Sequence, residues 1–384
     1  MDFAIPTALA EDIVGFKDFV KTYIKPNLPS WNQNRELPPA FFHRIGEGGW
    51  FGLKLKDGRL TRESVLMEAL VAEELAIASP GVAVAALAHV DLGLMGLFLY
   101  GTPDHHQAYG ASAVRGRTLM CLGNTENIAG SDVAGIAMTA EKVDGGWVLN
   151  GTKAYVTNGY IADLAVITAV SDPQTTRNRR LSMYLVNLKA DGVHRTKLNK
   201  QVWIPSDLTR LKFDNVFVPE DHLLGNRGRG LQQVLDIFTN SRVPIAALTL
   251  GGAVGAFNLA VDHMQKRKIF GRKLVGFQAK AFELSDFYAK IESARLMLWK
   301  ACWKVDQGAD FRQAASLAKY LTVKVAREVT LWAADIFGAA SVVQEHPIHK
   351  YPMDTWGSSL GEGTQDVQKL VIFREFMKRF GAGQ

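Results

Sequence analysis

Cysteine is scarce in this chain of 384 residues, which contains only Cys121 and Cys302. Two cysteines cannot build a disulfide framework or a cysteine-rich metal cluster, and such low usage is typical of a reducing compartment. Residues 1–6 also lack the basic segment and the apolar core of a signal peptide. We therefore expect a cytoplasmic protein without a metal centre.

Long apolar runs without polar interruption are missing as well. The two most apolar stretches, residues 82–100 and 243–261, contain polar groups such as His89, Asp91 and Asn258. A charged group in mid-bilayer is costly, whereas a buried helix of a large protein tolerates one that has a partner. Both stretches are therefore predicted to be core helices, without membrane insertion.

The charge pattern does not favour a nucleic-acid partner. The formal net charge is +6, but the basic residues are scattered, and the chain has no basic arm and no RNA-binding aromatic motif. The basic residues at 266–273 instead favour a phosphate-rich ligand, such as a nucleotide or coenzyme A. No G-x-G-x-x-G motif follows a predicted strand, so a Rossmann fold is poorly supported.

Hydrophobic periodicity divides the chain into three parts. Residues 8–115 have helical spacing, and residues 117–225 form short strand-like runs between turns, one of them at residues 144–146. After Gly230 the helical period returns in several long segments. This pattern predicts an α+β fold with domains at residues 1–115, 116–226 and 227–384.

Three polar segments are candidates for ligand binding, and each also has an ordinary structural interpretation. Residues 122–132 suit an anion or the edge of a planar heterocycle, or form a decorated turn. Residues 149–159, between two Asn-Gly turns, offer the ring of Tyr155 and the hydroxyl of Thr157 to a flat cofactor, or form a plain hairpin. Residues 266–272, followed by Phe277-Gln278, can pair with phosphates or complement a helix dipole.

A carboxylate near the end of the chain, Glu362, lies between two glycines. The glycines leave little bulk beside it and let the backbone turn sharply. The run is equally typical of a surface turn, so by itself it does not identify a site.

Six segments occur together in a specific order and spacing. They are Thr125-Glu126-x-x-Ala129-Gly130-Ser131-Asp132, Asn150-Gly151-x-Lys153 with Thr157-Asn158-Gly159, Phe213-Asp214-x-Val216-x-Val218-Pro219, Arg267-x-x-Phe270-Gly271, Phe337-Gly338 and Glu362-Gly363-Thr364. In these segments, and across essentially its whole length, the chain resembles the acyl-CoA dehydrogenases.

The resemblance implies a helical N-terminal domain, a central β-barrel-like domain and a C-terminal four-helix bundle. It implies FAD as cofactor, an acyl-CoA substrate, a homotetramer whose neighbouring subunits help to bind FAD, and an electron-transferring flavoprotein as acceptor. It places Ser131 and Arg242 at the CoA moiety. The residues that it places at FAD, in the same subunit or a partner, are Leu122, Asn124, Thr125, Gly130, Ser131, Tyr155, Val156, Thr157, Arg267, Phe270, Gln278, Phe337, Gly338 and Thr364.

The implied chemistry gives Glu362 a role. A carboxylate removes the α-proton of the thioester while the β-hydrogen leaves as hydride to the flavin, and burial should raise the pKa of that base. Some family members place the base just before the arginine that corresponds to Arg242. This chain has Ser241 there, which cannot serve, so Glu362 is the candidate catalytic base.

The chain departs from the family pattern beside the expected substrate. Gly361 replaces a residue that is usually bulky, which should widen the pocket and make Gly361 a substrate contact. Asp91 falls on a helix that in the family lines the acyl cavity. Either Asp91 pairs with His89 or caps a buried backbone group, or it is a second catalytic acid/base.

With the second interpretation of Asp91, the predicted substrate is a compact cyclic acyl-CoA, such as cyclohexane- or cyclohex-1-ene-carboxyl-CoA. An ordinary short- or branched-chain acyl-CoA dehydrogenase that uses Glu362 alone is the main alternative. An acyl-CoA oxidase and, more remotely, a flavin-bearing relative that binds nucleic acid complete the alternatives.

Overall fold

The N-terminal part of the protein is mainly helical, as predicted. The structure, a computed structural model, describes residues 5–381. Prolines at 39, 80 and 103 occupy the first turns of three of its helices, where the missing N–H is no loss. The helices here are α1 (Thr7–Phe19), α2 (Lys25–Asn34), α3 (Pro39–Glu47), α4 (Val65–Ala78), α5 (Pro80–Leu87), α6 (Met95–Tyr100), α7 (Pro103–His105) and α8 (Ala111–Val114).

A short hairpin that was not predicted interrupts these helices. Strand β1 (Leu53–Lys56) pairs antiparallel with β2 (Arg59–Arg62). The turn residues Asp57 and Gly58 both have left-handed φ values, which is the Asp-Gly signature of a tight hairpin. The signal was present in the sequence, but it lay within a segment whose overall period is helical.

The segment from α5 to α6 is one buried helical run with a widened turn in its middle. Ala88–Leu94 is π-helical, a geometry that is frequent at functional sites. His89 Nε2–H donates to the Ala113 carbonyl at 3.0 Å, and His89 Nδ1 accepts from the Met120 N–H at 3.0 Å. Because backbone groups occupy both ring nitrogens, His89 is not the partner of Asp91, and that interpretation is wrong.

The central part is a sheet of eight strands. Their order is β10-β7-β6-β4-β5-β9-β8, and β3 pairs in parallel with β6. Strand β6, in the middle of this order, is buried along its whole length, as expected of a strand covered on both faces. The strands are β3 (Met120–Gly123), β4 (Thr139–Val143), β5 (Gly146–Thr157), β6 (Leu164–Val170), β7 (Leu181–Asn187), β8 (Val193–Lys197), β9 (Leu208–Pro219) and β10 (Leu223–Leu224).

One of the two expected Asn-Gly turns is a bulge instead. Residues 144–145 join β4 to β5 as predicted, but Asn150-Gly151 lies inside β5, where the pairing with β9 shifts between Leu149 and Gly151. Gly151 has φ +144°, and a classical turn is unnecessary because the bulge absorbs the extra residue. The second pair does turn the chain, since Asn158 has φ +63° at the end of β5.

Long helices form the C-terminal part. They follow Gly230, where the helical period was predicted to return, and the helices Gly230–Lys266 and Arg312–Phe337 pack side by side along much of their length. The elements are α9 (Gly230–Lys266), β11 (Lys268–Ile269), β12 (Arg272–Lys273), α10 (Gln278–Asp306), α11 (Arg312–Phe337), α12 (Lys350–Ser358) and α13 (Gln365–Met377).

Two helical stretches, Pro80–Tyr100 and Gly230–Lys266, are long and apolar enough by composition to cross a membrane. Most residues of both are buried inside the protein, as in the core helices of a large domain. The helix–sheet–helix order confirms the predicted α+β class. The domain limits at 115/116 and 226/227 stay predictions.

Candidate active site

A large cavity lies where the N-terminal helices, the sheet and the C-terminal helices meet. Its volume is about 530 Å³, within the range of cofactor and small-molecule sites. Segments far apart in the chain converge on it, which local sequence patterns alone do not determine. The predicted site residues that line it are Leu122, Asn124, Thr125, Gly130, Ser131, Tyr155, Thr157, Arg242, Gly361, Glu362 and Thr364.

A buried ion pair holds the wall formed by residues 122–131. Lys153 Nζ donates to Glu126 Oε1 at 2.8 Å and to the Asn124 carbonyl at 3.0 Å, and the lysine is fully buried. Glu126 also accepts two backbone N–H groups at 2.8 and 3.0 Å. Burial lowers the pKa of Lys153 to about 8, and the Glu126 carboxylate opposes that shift. The pair therefore fixes the loop to β5 from behind the cavity wall.

The end of β5 supplies the neighbouring wall. Tyr155 has φ +57° and is 61% exposed, and it lines the cavity together with Thr157. Val156 between them is buried in the core, as expected because successive strand residues point to opposite faces. Any contact of Val156 with a ligand is therefore through its backbone.

Glu362 lies in a loop whose backbone carbonyls are held from the opposite side. Lys319 Nζ on α11 donates to the carbonyls of Gly361 and Gly363. Gln368 Nε2 on α13 donates to the carbonyls of Glu362 at 3.1 Å and Gly363 at 2.9 Å. Both side chains are fully buried, and neither was predicted. The one available signal was a lysine on the apolar, alanine-rich face of α11.

The charges around Glu362 make it a suitable proton acceptor. Burial raises the pKa of its carboxyl, while Lys319 and Arg242 lower it. Arg242 on α9 is itself buried, and burial lowers its pKa to about 10 despite the opposing effect of Glu362. Its Nε has no hydrogen-bond partner among the described residues. Arg242 itself lines the cavity, so the cavity wall carries its positive charge.

Asp91 is buried in a different place from the one expected. It lines a second, much smaller cavity of about 20 Å³ together with Glu68, and Leu87 lines both cavities. Burial raises the pKa of Asp91 well above its usual range, Glu68 and Glu362 raise it further, and Arg62 lowers it. Asp91 is thus close to Glu362 electrostatically, but it is not on the wall of the large cavity.

The space beside the candidate base is open, as predicted from Gly361. A Cβ added at Gly361 would meet only the Trp203 ring, at 3.9 Å. Trp203 packs against Gly357 on α12, and its backbone N–H donates to Asp354 at 2.5 Å. Trp203 and its neighbour Lys200 line the cavity, and sequence reasoning missed both.

Besides Val156, five residues that the resemblance assigned to FAD lie outside the large cavity. Phe270 is at the tip of the β11–β12 hairpin and is 94% exposed. The ring of Phe337 packs against His263 and His346, at 4.4 Å from each ring centre. The members of this outlying group are Arg267, Phe270, Gln278, Phe337 and Gly338. Their contact with FAD in a partner subunit stays a prediction.

Family models match three successive parts of the chain. They are the N-terminal domain of acyl-CoA dehydrogenase at residues 14–117, the middle domain at 121–216 and the C-terminal domain at 228–377. The chain therefore belongs to the acyl-CoA dehydrogenase family, and it is an oxidoreductase of that family.

Relatives with similar sequences cover nearly the whole chain. The short-chain-specific acyl-CoA dehydrogenase of Clostridium acetobutylicum is 31% identical over 93% of this chain and 94% of its own length. The benzylmalonyl-CoA dehydrogenase of Aromatoleum aromaticum is 30% identical over 94% of this chain and 95% of its own.

Solved structures agree with the fold. Butyryl-CoA dehydrogenase of Megasphaera elsdenii has a TM-score of 0.93 at 28% identity, covering 98% of this chain and 100% of that one. A chain from the structure of the electron-transferring flavoprotein of Acidaminococcus fermentans has a TM-score of 0.95 at 28% identity, with the same coverage. The FAD complex of PigA has a TM-score of 0.92 at 25% identity and covers all of both chains.

The predicted cofactor, FAD, is confirmed by these comparisons, and the residues in the cavity fit it. Leu122, Thr125, Ser131, Tyr155 and Thr157 line the same cavity, and they combine an apolar side chain, an aromatic ring and hydroxyls, which suits a flat heterocycle with a polar edge. A Cβ at Gly130 would meet nothing within 4 Å, so that stretch has room for a ligand. FAD bound there would supply the acceptor for the substrate hydride.

The Lys153–Glu126 pair generates a prediction about cofactor retention. Lys153→Met leaves a buried carboxylate without its charged partner, which typically costs about 3–5 kcal/mol. We expect the variant to lose most of its FAD on desalting and to melt at a lower temperature, measured by flavin absorbance per chain and by thermal unfolding.

The matched control is Lys142→Met, which breaks a more exposed pair with Glu220. Such pairs contribute about 0–1 kcal/mol, so this variant should keep its FAD. Full FAD content in Lys153→Met would contradict the role assigned to the buried pair.

Proposed function

We propose that Glu362 removes the α-proton of an acyl-CoA thioester bound in the large cavity. The observation that carries this proposal is a carboxylate on the cavity wall, facing two buried cations in an FAD-dependent fold. Burial raises the pKa of the carboxyl, and the two cations oppose that shift, which favours the ionised form that can accept a proton.

The protein's own groups would act as follows. The apolar side chains of Leu92, Leu235, Phe238 and Ile245 form part of the cavity wall and exclude water from the base, which strengthens every electrostatic interaction there. One oxygen of Glu362 takes the α-proton, and the carboxyl becomes neutral. The charge left on the thioester oxygen is stabilised by donors fixed in the wall.

Glu362→Gln tests the base directly. A glutamine cannot accept the proton, so we expect anaerobic bleaching of the flavin by a thioester substrate to slow by about 10²–10⁴-fold. FAD content and melting temperature should be unchanged, as in the control Glu141→Gln on the exposed side of β4. In the wild type, the rate should rise with pH through a pKa above that of an ordinary glutamate. A Glu362→Gln variant that keeps the wild-type rate would refute the proposal.

For the substrate, we propose a compact cyclic acyl-CoA, such as cyclohexane- or cyclohex-1-ene-carboxyl-CoA. The open space at Gly361, bounded by the flat Trp203 ring, supports a ring attached at the α-carbon. The likeness to benzylmalonyl-CoA dehydrogenase supports it too, since that relative is named for a substrate with a bulky ring.

In the same proposal, Asp91 is a second acid/base for a cyclohexene thioester, whose conjugation extends acidity to a more distant carbon. Its support is electrostatic proximity to Glu362 and a buried Oδ1 without a hydrogen-bond partner among the described residues. To reach substrate from the small cavity, Asp91 requires a rearrangement at Leu87, which borders both cavities.

An ordinary short- or branched-chain acyl-CoA dehydrogenase with Glu362 as the only base is the second candidate. One observation favours it specifically: Asp91 lies outside the wall of the large cavity. The short-chain specificity of the Clostridium acetobutylicum relative points in the same direction.

A panel of thioesters separates the two candidates. We expect Asp91→Asn to lower kcat/KM about tenfold or more for cyclohexenecarboxyl-CoA while leaving butyryl-CoA unchanged. Gly361→Tyr should fill the space beside the base and lower kcat/KM for both cyclic thioesters more than for butyryl-CoA.

Asp144→Asn, in an exposed hairpin turn, is the control for Asp91→Asn. Unchanged turnover of every cyclic thioester in Asp91→Asn would leave Glu362 as the sole base. A wild type that turns over butyryl-CoA and no cyclic thioester would end the cyclic-substrate proposal.

We further infer a homotetramer. The C-terminal helices expose large apolar side chains, among them Phe282, Trp303, Leu370 and Phe373, which is typical of subunit contacts. A solution mass of one chain would contradict it.

The proposed acceptor is an electron-transferring flavoprotein in the cytoplasm. The likeness to the Acidaminococcus fermentans chain supports this acceptor. Stoichiometric peroxide formation in air would instead indicate an oxidase.

A further inference from the structure

The loop that carries Glu362 has a backbone conformation that does not form by itself. Glu362 has φ +49° and Gly363 has φ +92°. A left-handed φ is disfavoured for a residue with a side chain and persists only where the surroundings impose it. Something outside the loop must therefore hold Glu362 in this conformation.

Lys319 provides that constraint from α11. Its ammonium group donates to the carbonyls of Gly361 and Gly363, which are the residues on each side of Glu362. Gln368 holds the carbonyls of Glu362 and Gly363 from α13. Three consecutive carbonyls are thus held by two fully buried side chains, and the loop backbone has little freedom to turn.

The charge of Lys319 adds an effect that Gln368 cannot supply. The charged groups that face Glu362 are Lys319 on α11 and Arg242 on α9, and Glu362 in turn acts on Asp91 in the π-helical segment. Burial lowers the pKa of Lys319 to about 8, Glu362 opposes that shift and Arg242 adds to it. At neutral pH the ammonium group therefore remains mostly charged beside the carboxylate.

We propose that Lys319 is a positioning residue for proton abstraction: it holds the backbone on both sides of Glu362 in the reactive conformation and adds a buried positive charge near the carboxylate. The inference rests on the proposed role of Glu362 as the base. Lys319 does not line the large cavity, so it acts through Glu362 and not on the substrate.

Three variants of the FAD-loaded protein separate the effect of holding the loop backbone from the effect of the Lys319 charge. Lys319→Met removes both hydrogen bonds and the charge. We expect kcat for thioester-driven flavin reduction to fall about 10²-fold, the loss typical of a small misplacement of a catalytic group. We also expect the acidic limb of the kcat–pH profile to move to higher pH by about one unit, since a cation that lowers the pKa of Glu362 is gone.

Gln368→Leu and Lys319→Arg are the matched comparisons. Gln368→Leu loosens the same backbone without removing charge, so kcat should fall while the acidic limb stays in place. Lys319→Arg keeps the charge and the donors and should return the limb to its wild-type position. KM for the thioester should change less than about threefold in all of them, because no contact with substrate is removed.

A structural role alone would give a different result. Lys319→Met would then lose stability or FAD, and the remaining holoenzyme would show the wild-type kcat and pH profile. That outcome overturns the inference. If Lys319→Met does not fold, Lys319→Gln replaces it. That variant keeps a neutral hydrogen-bond donor, and the acidic limb of its kcat–pH profile is measured in the same way. Lys290→Met removes an exposed lysine that pairs with Glu328 on α11 and should leave both readouts unchanged.

Failure of this inference is distinguishable from failure of the proposed function. An active Glu362→Gln variant would refute the base itself, whatever Lys319→Met does. An inactive Glu362→Gln variant together with a wild-type profile for Lys319→Met would refute only the positioning role of Lys319.

Discussion

The buried ion pair between Lys153 and Glu126 is the contact on which one wall of the active-site cavity depends. It joins β5 to the loop of residues 122–131, and it also holds the Asn124 carbonyl and two N–H groups of the following segment. Breaking it would leave a charge in the core, which is far more costly than never having placed one there. The loop therefore keeps a single conformation, and its hydroxyls stay where a flat cofactor needs them.

On the opposite wall, too, a buried lysine holds backbone carbonyls, but the carboxylate near it has a different environment. Lys319 also donates to carbonyl groups from a buried position, but its carboxylate neighbour, Glu362, lines the cavity. Glu126 accepts hydrogen bonds from Lys153 and two backbone N–H groups, and its pKa is lowered despite burial. Glu362 has a raised pKa because its cations only partly offset burial. One buried lysine thus stabilises a structural carboxylate, and the other holds a carboxylate that can still take up a proton.

Much of this site could be predicted from the sequence, because the relevant signals are local. The order of helices and strands follows from periodicity. The family resemblance of the motifs assigned roles to the segment 122–131, Tyr155, Thr157 and Glu362. Lys319 and Gln368 could not be found that way, since their partners are backbone carbonyls, which any residue offers and no side-chain pattern marks. The direction of Asp91 depends on the widened turn at Ala88–Leu94, where the helical period that predicts facing residues no longer holds.

The two carboxyls near the cavity, Glu362 and Asp91, have different charged neighbours, and the charge of Glu362 raises the pKa of Asp91. Glu362 faces two cations, whereas Asp91 faces the carboxylates of Glu68 and Glu362 with Arg62 as its cation. Environments that separate two pKa values in this way define which group is ionised first. In the proposed mechanism Glu362 is therefore the first base. Its charge is gone once it has taken the α-proton, which removes one of the effects that raise the pKa of Asp91. Any proton chemistry at Asp91 is thus favoured after the first abstraction and not before it.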